Sequence, residues 1–364
     1  MLKFIHGADF HLDSAFHALP SRQAAARRRE SRELVFRLAG YVNSHDIGLV
    51  LLAGDLFDST SVFRETGEQL SQALGAMRAE VCVSPGNHDF YAPGSPWETV
   101  RWPENVHIFR ESAMQPVEFP QWNVVVHGAA FTAPEQSESL LAGFCAPADG
   151  KLHLGLLHGE IEPAEARYDP IAREEIADSG LAYLALGHIH KRAEPAHWGK
   201  TLCAWPGCPE GRGFDELGEK GVYQGCVFPD GTVSVSFVPL AGRRYESLTV
   251  DVTGKDPRAA VEARLPADTA RDLYRVLLTG ETGEGGVDPA ALQEALADRF
   301  YALEIRDCTR MAEDVWRRAE EDSLRGLFLR ELREKLTGAD EAQQRRITQA
   351  ARFGLAALDH RDLG

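Results

Sequence analysis

Residues with the chemistry of metal ligation fall in five short blocks along the first half of the chain. They are Asp9-Phe10-His11, Gly54-Asp55-Leu56-Phe57-Asp58, Gly86-Asn87-His88-Asp89, His158-Gly159 and Gly187-His188-Ile189-His190. Each carboxylate, amide or imidazole among them is a ligand that a hard or borderline divalent metal accepts. A lone Asp or His more often caps a helix or sits on the surface. Five blocks in a fixed order, each tightly spaced, point instead to a binuclear centre. Two metals about 3.5–4 Å apart can share a carboxylate and clamp both the attacking and the leaving oxygen of a phosphate. Asp55 is the natural bridge, because it closes a long apolar run and follows a glycine that lets the backbone turn closely. Asp9, His11 and His190 are expected on one metal, and Asn87, His158 and His188 on the other. A mixed nitrogen and oxygen set without thiolate favours Mn²⁺, admits Fe²⁺ or Zn²⁺, and speaks against Mg²⁺. His88 follows Asn87 without being forced to coordinate, so it is the catalytic candidate that meets a phosphate oxygen. Asp58, three residues past Asp55, is expected to hold that imidazole through its ring N–H and fix its tautomer.

Short apolar runs precede the blocks, at residues 2–5, 48–52, 81–83, 152–157 and 181–186. Runs of this kind read as buried strands. In α/β sheets ligands collect at the carboxyl ends of strands, so five strand ends would deliver the blocks to one crevice. Residues 22–41 and 66–77 read as helices, the first with Leu34, Leu38 and Tyr41 on one face. Residues 201–204, 221–228 and 232–238 are expected as antiparallel strands forming one layer that closes the far side of a sandwich. His6, His127 and His153 lie inside strand-like runs and read as core or edge histidines. His17, His45, His107, His197 and His360 have no supporting context.

At 364 residues the chain is long for one domain. An α/β domain is expected over residues 1–244, and a small βαβαβ module over 245–310. In the module, strands 246–252, 273–279 and 301–306 alternate with helices 257–265 and 289–300, and residues 280–286 form a loop. A helical tail follows over 311–364. Its apolar stripes are Leu324, Leu327, Phe328, Leu332 and Leu336, then Ile347, Ala351, Leu355 and Leu358, with no evident core to join. No apolar run approaches the roughly 20 residues that span a bilayer, and the first residues do not resemble a signal peptide. Six cysteines without a C-x-x-C pair suit a reduced, cytoplasmic protein without structural zinc. The formal charge of −16 argues against a broad basic face for nucleic acid, although bound metals would offset carboxylates locally.

Over residues 1–240 the blocks resemble the calcineurin-like metallophosphoesterase superfamily. Ala8-Asp9-Phe10-His11-Leu12-Asp13-Ser14, Gly54-Asp55-Leu56-Phe57-Asp58-Ser59 and Leu186-Gly187-His188-Ile189-His190-Lys191 look like its bacterial DNA-repair exonuclease branch of SbcD-like and YhaO-like proteins. Trp205-Pro206-Gly207, Gly211-Arg212 and Gly218-Glu219-Lys220-Gly221 are most similar to the YhaO-like members. The resemblance implies an α/β fold: a two-sheet sandwich flanked by helices, a small capping domain and a C-terminal helical tail. It implies metal ligation at the positions given above, a catalytic His88, and Mn²⁺-dependent phosphodiester cleavage of DNA. The activity would be a 3′-to-5′ exonuclease with single-strand endonuclease action in DNA repair. It also implies that the C-terminal helices dock an SbcC-like coiled-coil ATPase, whose surface could supply the missing basic charge; a homodimer stays open, and no membrane is involved. There are two departures. Ser59-Thr60 stands where serine/threonine phosphatases carry Arg-Gly, and Asp58 stands where archaeal and eukaryotic nucleases of this branch carry His. Two other functions compete. A phosphodiesterase for a small substrate such as a cyclic nucleotide suits the acidic charge. A mainly scaffolding subunit of an ATPase complex needs no catalysis.

Overall fold

The computed structural model describes residues 1–282, 286–311 and 315–358. The elements of the first part are β1 (Leu2–Gly7), α1 (Ser21–Ser44), β2 (Leu49–Leu52), α2 (Arg64–Gly75), β3 (Glu80–Val83), α3 (Pro96–Thr99), β4 (Val106–Ile108) and β5 (Gln115–Phe119). Then come β6 (Val124–Gly128), β7 (Leu152–His158), β8 (Glu160–Ile161), β9 (Pro170–Ile171), α4 (Arg173–Asp178) and β10 (Tyr183–Gly187). The sandwich is completed by β11 (Ala193–Trp198), β12 (Thr201–Trp205), β13 (Gly221–Val227) and β14 (Val233–Pro239).

Two six-stranded sheets form, in the orders β14-β13-β1-β2-β3-β4 and β11-β12-β10-β7-β6-β5. Strands β1 to β4 run parallel, as do β6, β7, β10 and β12. The parallel strands are apolar on both faces because both faces are covered. Along β1 to β3, Ile5, Val50, Leu52, Val81 and Val83 pack with Leu34, Val35 and Leu38 of α1 and Leu70 and Leu74 of α2. The alternate residues Phe4, Leu49, Leu51 and Cys82 pack with Val124, Val126, Leu154, Leu156 and Tyr183 of the other sheet. That sheet's outer face buries Leu157, Leu184 and Leu186 with Ile176 of α4. A strand burying both faces has no free register, so its end is held firmly in place.

The expected single antiparallel layer does not form. β12 joins the second sheet, parallel to β10 and antiparallel to β11, whereas β13 and β14 extend the first sheet antiparallel to β1. Burial explains the split. Thr201, Leu202, Cys203 and Ala204 are buried on both faces, but β14 alternates between half-buried and exposed positions, as an edge strand does.

The chain divides into two compact units. The first comprises Met1–Leu248, Pro266–Arg275 and Leu296–Glu304, and the second comprises Thr249–Leu265, Val276–Ala295 and Ile305–Gly364. The division therefore runs through the βαβαβ module, which contains β15 (Tyr245–Asp251), α5 (Pro257–Glu262), β16 (Leu273–Thr279), then β17 (Glu281–Thr282), α6 (Pro289–Leu296) and β18 (Ala302–Asp307). Its three-stranded sheet has the order β15-β16-β18. Glu281 and Thr282, expected in a loop, instead pair in parallel with β19 (Arg310–Met311), anchored by the Arg310 N–H donating to the Gly280 carbonyl. Residues 283–285 of that loop lie outside the described residues.

The tail holds a short 3₁₀ helix (Val315–Glu320), α7 (Leu324–Glu334) and α8 (Glu341–Leu358). It does have a core of its own. Ala319, Leu329, Ala351 and Leu355 are buried together, with Trp316, Phe328 and Leu332 against them. The inward face of α7 is centred on Leu329, which the expected stripe omitted, while Leu324 and Leu327 stay 68% and 51% exposed. Among the described residues no helix is long and apolar enough to cross a membrane.

Candidate metal centre

Each ligand block begins where a core strand runs out. Asp9 and His11 follow β1, Asp55 follows β2, Asn87 and His88 follow β3, His158 ends β7, and His188 and His190 follow β10. The turns are tight. Asp9, His11, Asp55 and His188 all take left-handed backbone angles (φ 56°, 42°, 51° and 84°), an unfavourable state that side-chain-bearing residues keep only where their surroundings dictate it. Those surroundings are hydrogen bonds between blocks. The Asp9 N–H donates to Gly54 O at 3.0 Å and the His11 N–H to Asp55 O at 2.9 Å. The His188 N–H donates to Asp9 Oδ1 at 3.0 Å, and the His88 N–H to Asp55 Oδ1 at 2.9 Å. Gly86 is required here, because a Cβ would run into Asp55.

Asp89 ties two of these loops together. Its buried carboxylate accepts the N–H groups of Asp55, Leu56, Phe57 and Gly86 at 2.8–3.2 Å. Burial, followed by the charge of Asp55, lifts its pKa to about 7.

The side chains converge as two clusters. Asp9, His11 and His190 form one, with Nε2 of His11 and Nε2 of His190 only 3.1 Å apart. Asp55, His158 and His188 form the other, and Asn87 joins it, its Oδ1 lying 3.0 Å from His158 Nε2 and 3.1 Å from His188 Nδ1. Asp55 stands between them. Its Oδ2 is 3.6 Å from His11 Nε2 and 3.4 Å from His158 Nε2. All seven residues expected to ligate metal are thus brought together.

This arrangement fits two divalent cations. Oδ2 of Asp9 is fully buried and has no hydrogen-bond partner, a costly state for a carboxylate oxygen unless a cation pairs with it. The donors are nitrogen and oxygen only, a set that borderline divalent metals accept. Burial, then the neighbouring His158, pushes His188 down to about 3, which keeps it neutral as a ligand must be. Burial acts in the same direction on His158, but the adjacent Asp55 carboxylate outweighs it and raises His158 to about 9. Protons therefore compete with metal at His158.

The two catalytic candidates are placed differently from expectation. His88 is exposed beside the clusters, its ring 4.8 Å from that of His11. What holds it is the backbone carbonyl of Asp58, 3.1 Å from its Nδ1. The Asp58 carboxylate turns instead to His11 Nδ1 at 3.1 Å and to Arg212 Nη1 at 3.3 Å. Asp58 thus serves a candidate metal-ligating ring with its side chain and His88 with its main chain, because His11 presents a ring N–H within reach and Arg212 a counter-charge.

Three further residues had no assigned role. Glu160 meets His188 Nε2 at 2.7 Å, Glu216 meets His190 Nδ1 at 2.8 Å, and Arg212 grips Glu216. Only Arg212 carried any signal, through the Gly211-Arg212 resemblance. Outer carboxylates of this kind orient ligating imidazoles and raise their basicity. The remaining histidines behave as expected. His6 bonds Tyr183 and the Leu186 carbonyl in the core, and His127 pairs with His153 at 2.8 Å. His88 itself groups with His11 and Asp58 closely enough to hold a cation, and apart from it no other histidine among the described residues joins a metal-competent cluster; His360 lies outside them.

A family model described as calcineurin-like phosphoesterase matches residues 2–192. The chain is also similar to an uncharacterized metallophosphoesterase, YhaO, of Bacillus subtilis (strain 168). The two are 33% identical over 264 residues, a stretch covering 69% of this chain and 64% of that relative. The chain therefore spans less than two thirds of the relative's length.

Proposed function

Because the chain belongs to the calcineurin-like phosphoesterase family, we propose that the phosphoester it hydrolyses is the backbone of DNA, making it a Mn²⁺-dependent repair nuclease with 3′-to-5′ exonuclease and single-strand endonuclease action. The observation that carries this reading is the placement of His88. Hydrolysis of an alkyl phosphodiester expels an alkoxide, which needs a proton as the P–O bond breaks, and an imidazole beside the clusters can supply it. With Nδ1 donating to the Asp58 carbonyl, Nε2 is the atom from which a proton passes to a phosphate oxygen, a role typically contributing about 10²–10⁴-fold. Asp9, His11 and His190 would hold one divalent ion, and Asn87, His158 and His188 the other, with Asp55 serving both. When bound, the pair supplies Lewis-acid polarisation of the phosphate. The strained, mutually hydrogen-bonded loops hold the ligands in place before substrate arrives.

The presence of a second compact unit supports a polymeric substrate, since a small phosphodiester needs only the one domain that carries the clusters. The charge of −16 favours the second reading, a cyclic-nucleotide or other small-molecule phosphodiesterase. A partner would offset the charge. Leu324, Leu327 and Phe353 are 68%, 51% and 53% exposed on the C-terminal helices, apolar anchors of the kind a helix uses in a groove or against a coil. A coiled-coil ATPase docked there would bring the basic surface. All six cysteines are free, in keeping with a reducing cytoplasm. The deciding experiment incubates purified protein and Mn²⁺ with end-labelled single- and double-stranded DNA beside a cyclic nucleotide. Ladder or mononucleotide products from DNA are expected; turnover of the cyclic nucleotide alone would overturn the nuclease reading.

A further inference from the structure

A strap of chain, residues 207–220, crosses the outside of the Asp9–His11–His190 cluster. It is fastened at several points. Gly207 (φ 73°) lies so close to His190 that a Cβ would stand 2.6 Å from the histidine's carbonyl oxygen. That carbonyl accepts the N–H of Cys208 at 3.1 Å and Nζ of Lys220 at 3.3 Å. Farther along, the buried guanidinium of Arg27 in α1 donates to the Glu210 carboxylate and to the Gly211 carbonyl at 3.0 Å. A buried charge pair of this kind specifies one arrangement of the chain, since breaking it leaves an uncompensated charge.

What the strap delivers is Arg212 and Glu216. Oε1 of Glu216 lies 2.8 Å from Nδ1 of His190, and a carboxylate can only accept, so the ring proton sits on Nδ1 and Nε2 is left to the cluster. Arg212 then grips Glu216 twice, Nη2 to Oε1 and its own backbone N–H to Oε2, each at 2.8 Å. Nη2 also lies 2.9 Å from His190 Nδ1, a contact between two donors once the ring proton sits on Nδ1. Nη1 reaches Asp58 Oδ1 at 3.3 Å, and that same oxygen holds His11 Nδ1 at 3.1 Å. One guanidinium thus joins the carboxylates standing behind both imidazoles of a single cluster. The second cluster is supported separately: His158 Nδ1 bonds the Ala53 carbonyl at 2.8 Å, and His188 Nε2 meets Glu160.

We propose that Arg212 and Glu216 are positioning residues that set the metal affinity of the Asp9–His11–His190 site independently of its neighbour, so that the two ions bind with distinct affinities. The bidentate fork of arginine suits this task, because it fixes two carboxylates in one plane and cancels their mutual repulsion. The inference rests on the metal centre and is indifferent to whether DNA is the substrate.

The test is a Mn²⁺ titration of the metal-free full-length protein, with free Mn²⁺ read by electron paramagnetic resonance and no substrate present. Two classes of site are expected in the wild type. Glu216→Ala and Arg212→Ala should each weaken one class by about 10–100-fold and leave the other unchanged. Glu216→Gln, whose amide oxygen still accepts from Nδ1, should retain most of the affinity, and Arg212→Lys, which keeps the charge without the fork, should still weaken one class. If the alanine variants fail to fold, the glutamine and lysine variants decide. Equal weakening of both classes, or lowered thermal stability with both classes intact, would overturn the proposal. A failed nuclease assay would not touch it.

Discussion

Oδ1 of Asp58 lies 3.1 Å from Nδ1 of His11, while the imidazole of His88 is held by the Asp58 main-chain carbonyl. The side chain therefore belongs to the candidate metal centre and the backbone to His88, the candidate catalytic ring. Asp58→Ala should weaken Mn²⁺ at one site by about 10–100-fold, the usual cost of removing an outer partner of a ligating imidazole, and excess Mn²⁺ should restore most of the turnover. If the carboxylate served His88, saturating metal would restore nothing. Activity against Mn²⁺ concentration separates the two.

Asp55 carries the strongest single test of the centre. Its Oδ2 stands 3.6 Å from an imidazole of one cluster and 3.4 Å from an imidazole of the other, and its Oδ1 accepts the His88 N–H. Asp55→Ala should therefore abolish both ions together. Metal content measured after gel filtration checks this; two ions retained per chain would show that Asp55 bridges nothing.

The convergence of the seven candidate ligands was legible in the sequence because metal coordination admits few residue types and a parallel sheet places them at strand ends. Asp9, Asp55, Asn87, His158 and His188 each sit just past an apolar run. Their outer partners were not legible. Glu216 and Glu160 only have to offer an acceptor, a demand that many residues meet, and the strap bringing Glu216 to His190 is held by contacts far apart in the chain. Asp58 was misassigned for a related reason: a spacing of three residues brings it near His88 without saying which of its oxygens points there. β12 and β13 read alike as apolar strands, and only the assembled sheets show that they join different edges. Leu329 escaped the apolar stripe of α7 because α8 and the 3₁₀ helix decide which face turns inward.

His88→Ala should leave both metals bound, since its Nδ1 is committed to a carbonyl and, although it groups with His11 and Asp58, its ring is exposed and is not among the seven expected ligands. Turnover should fall by about 10²–10⁴-fold. Paired measurements of metal content and rate on one preparation make the comparison. Loss of metal with an unchanged rate per bound metal would make His88 a ligand.

Asp169 gives a pH signature. It is fully buried, Oδ1 accepts the Leu140 N–H and Oδ2 has no partner. Burial lifts its pKa from the ordinary 3.8 to about 7. A raised carboxyl pKa means that the folded state holds the proton more tightly than the unfolded chain does. This contribution to stability is fully present below about pH 4 and is lost as pH rises toward 7. At about 1.4 kcal/mol per pKa unit, the loss is on the order of 4 kcal/mol. Asp169→Asn mimics the protonated acid and does not titrate. In EDTA, its melting temperature relative to wild type should rise from pH 5 to about pH 7 and then level off; a constant difference would show that Asp169 does not titrate in this range.

The C-terminal helices give the last prediction, and their small core changes how it must be tested. Ala319, Leu329, Ala351 and Leu355 bury one another, so trimming within the tail would unfold it and confuse loss of a partner with loss of structure. Leu324 and Leu327 are exposed on α7, away from that core. Leu324→Glu and Leu327→Glu, made together, should leave the melting temperature within about a degree, because surface substitutions away from packed features usually change stability by no more than about 0.5 kcal/mol. The same pair should abolish co-purification of a coiled-coil ATPase from the native host, identified by mass spectrometry, since burying two carboxylates in an apolar contact is strongly unfavourable. Mn²⁺-dependent cleavage of short DNA should persist, because every residue of the metal centre lies within the first 216 positions. Removing the whole tail after about Asp314, a boundary outside the described residues, should separate the same two properties. Capture of the ATPase at wild-type level by the double variant would take the docking surface off this helix face.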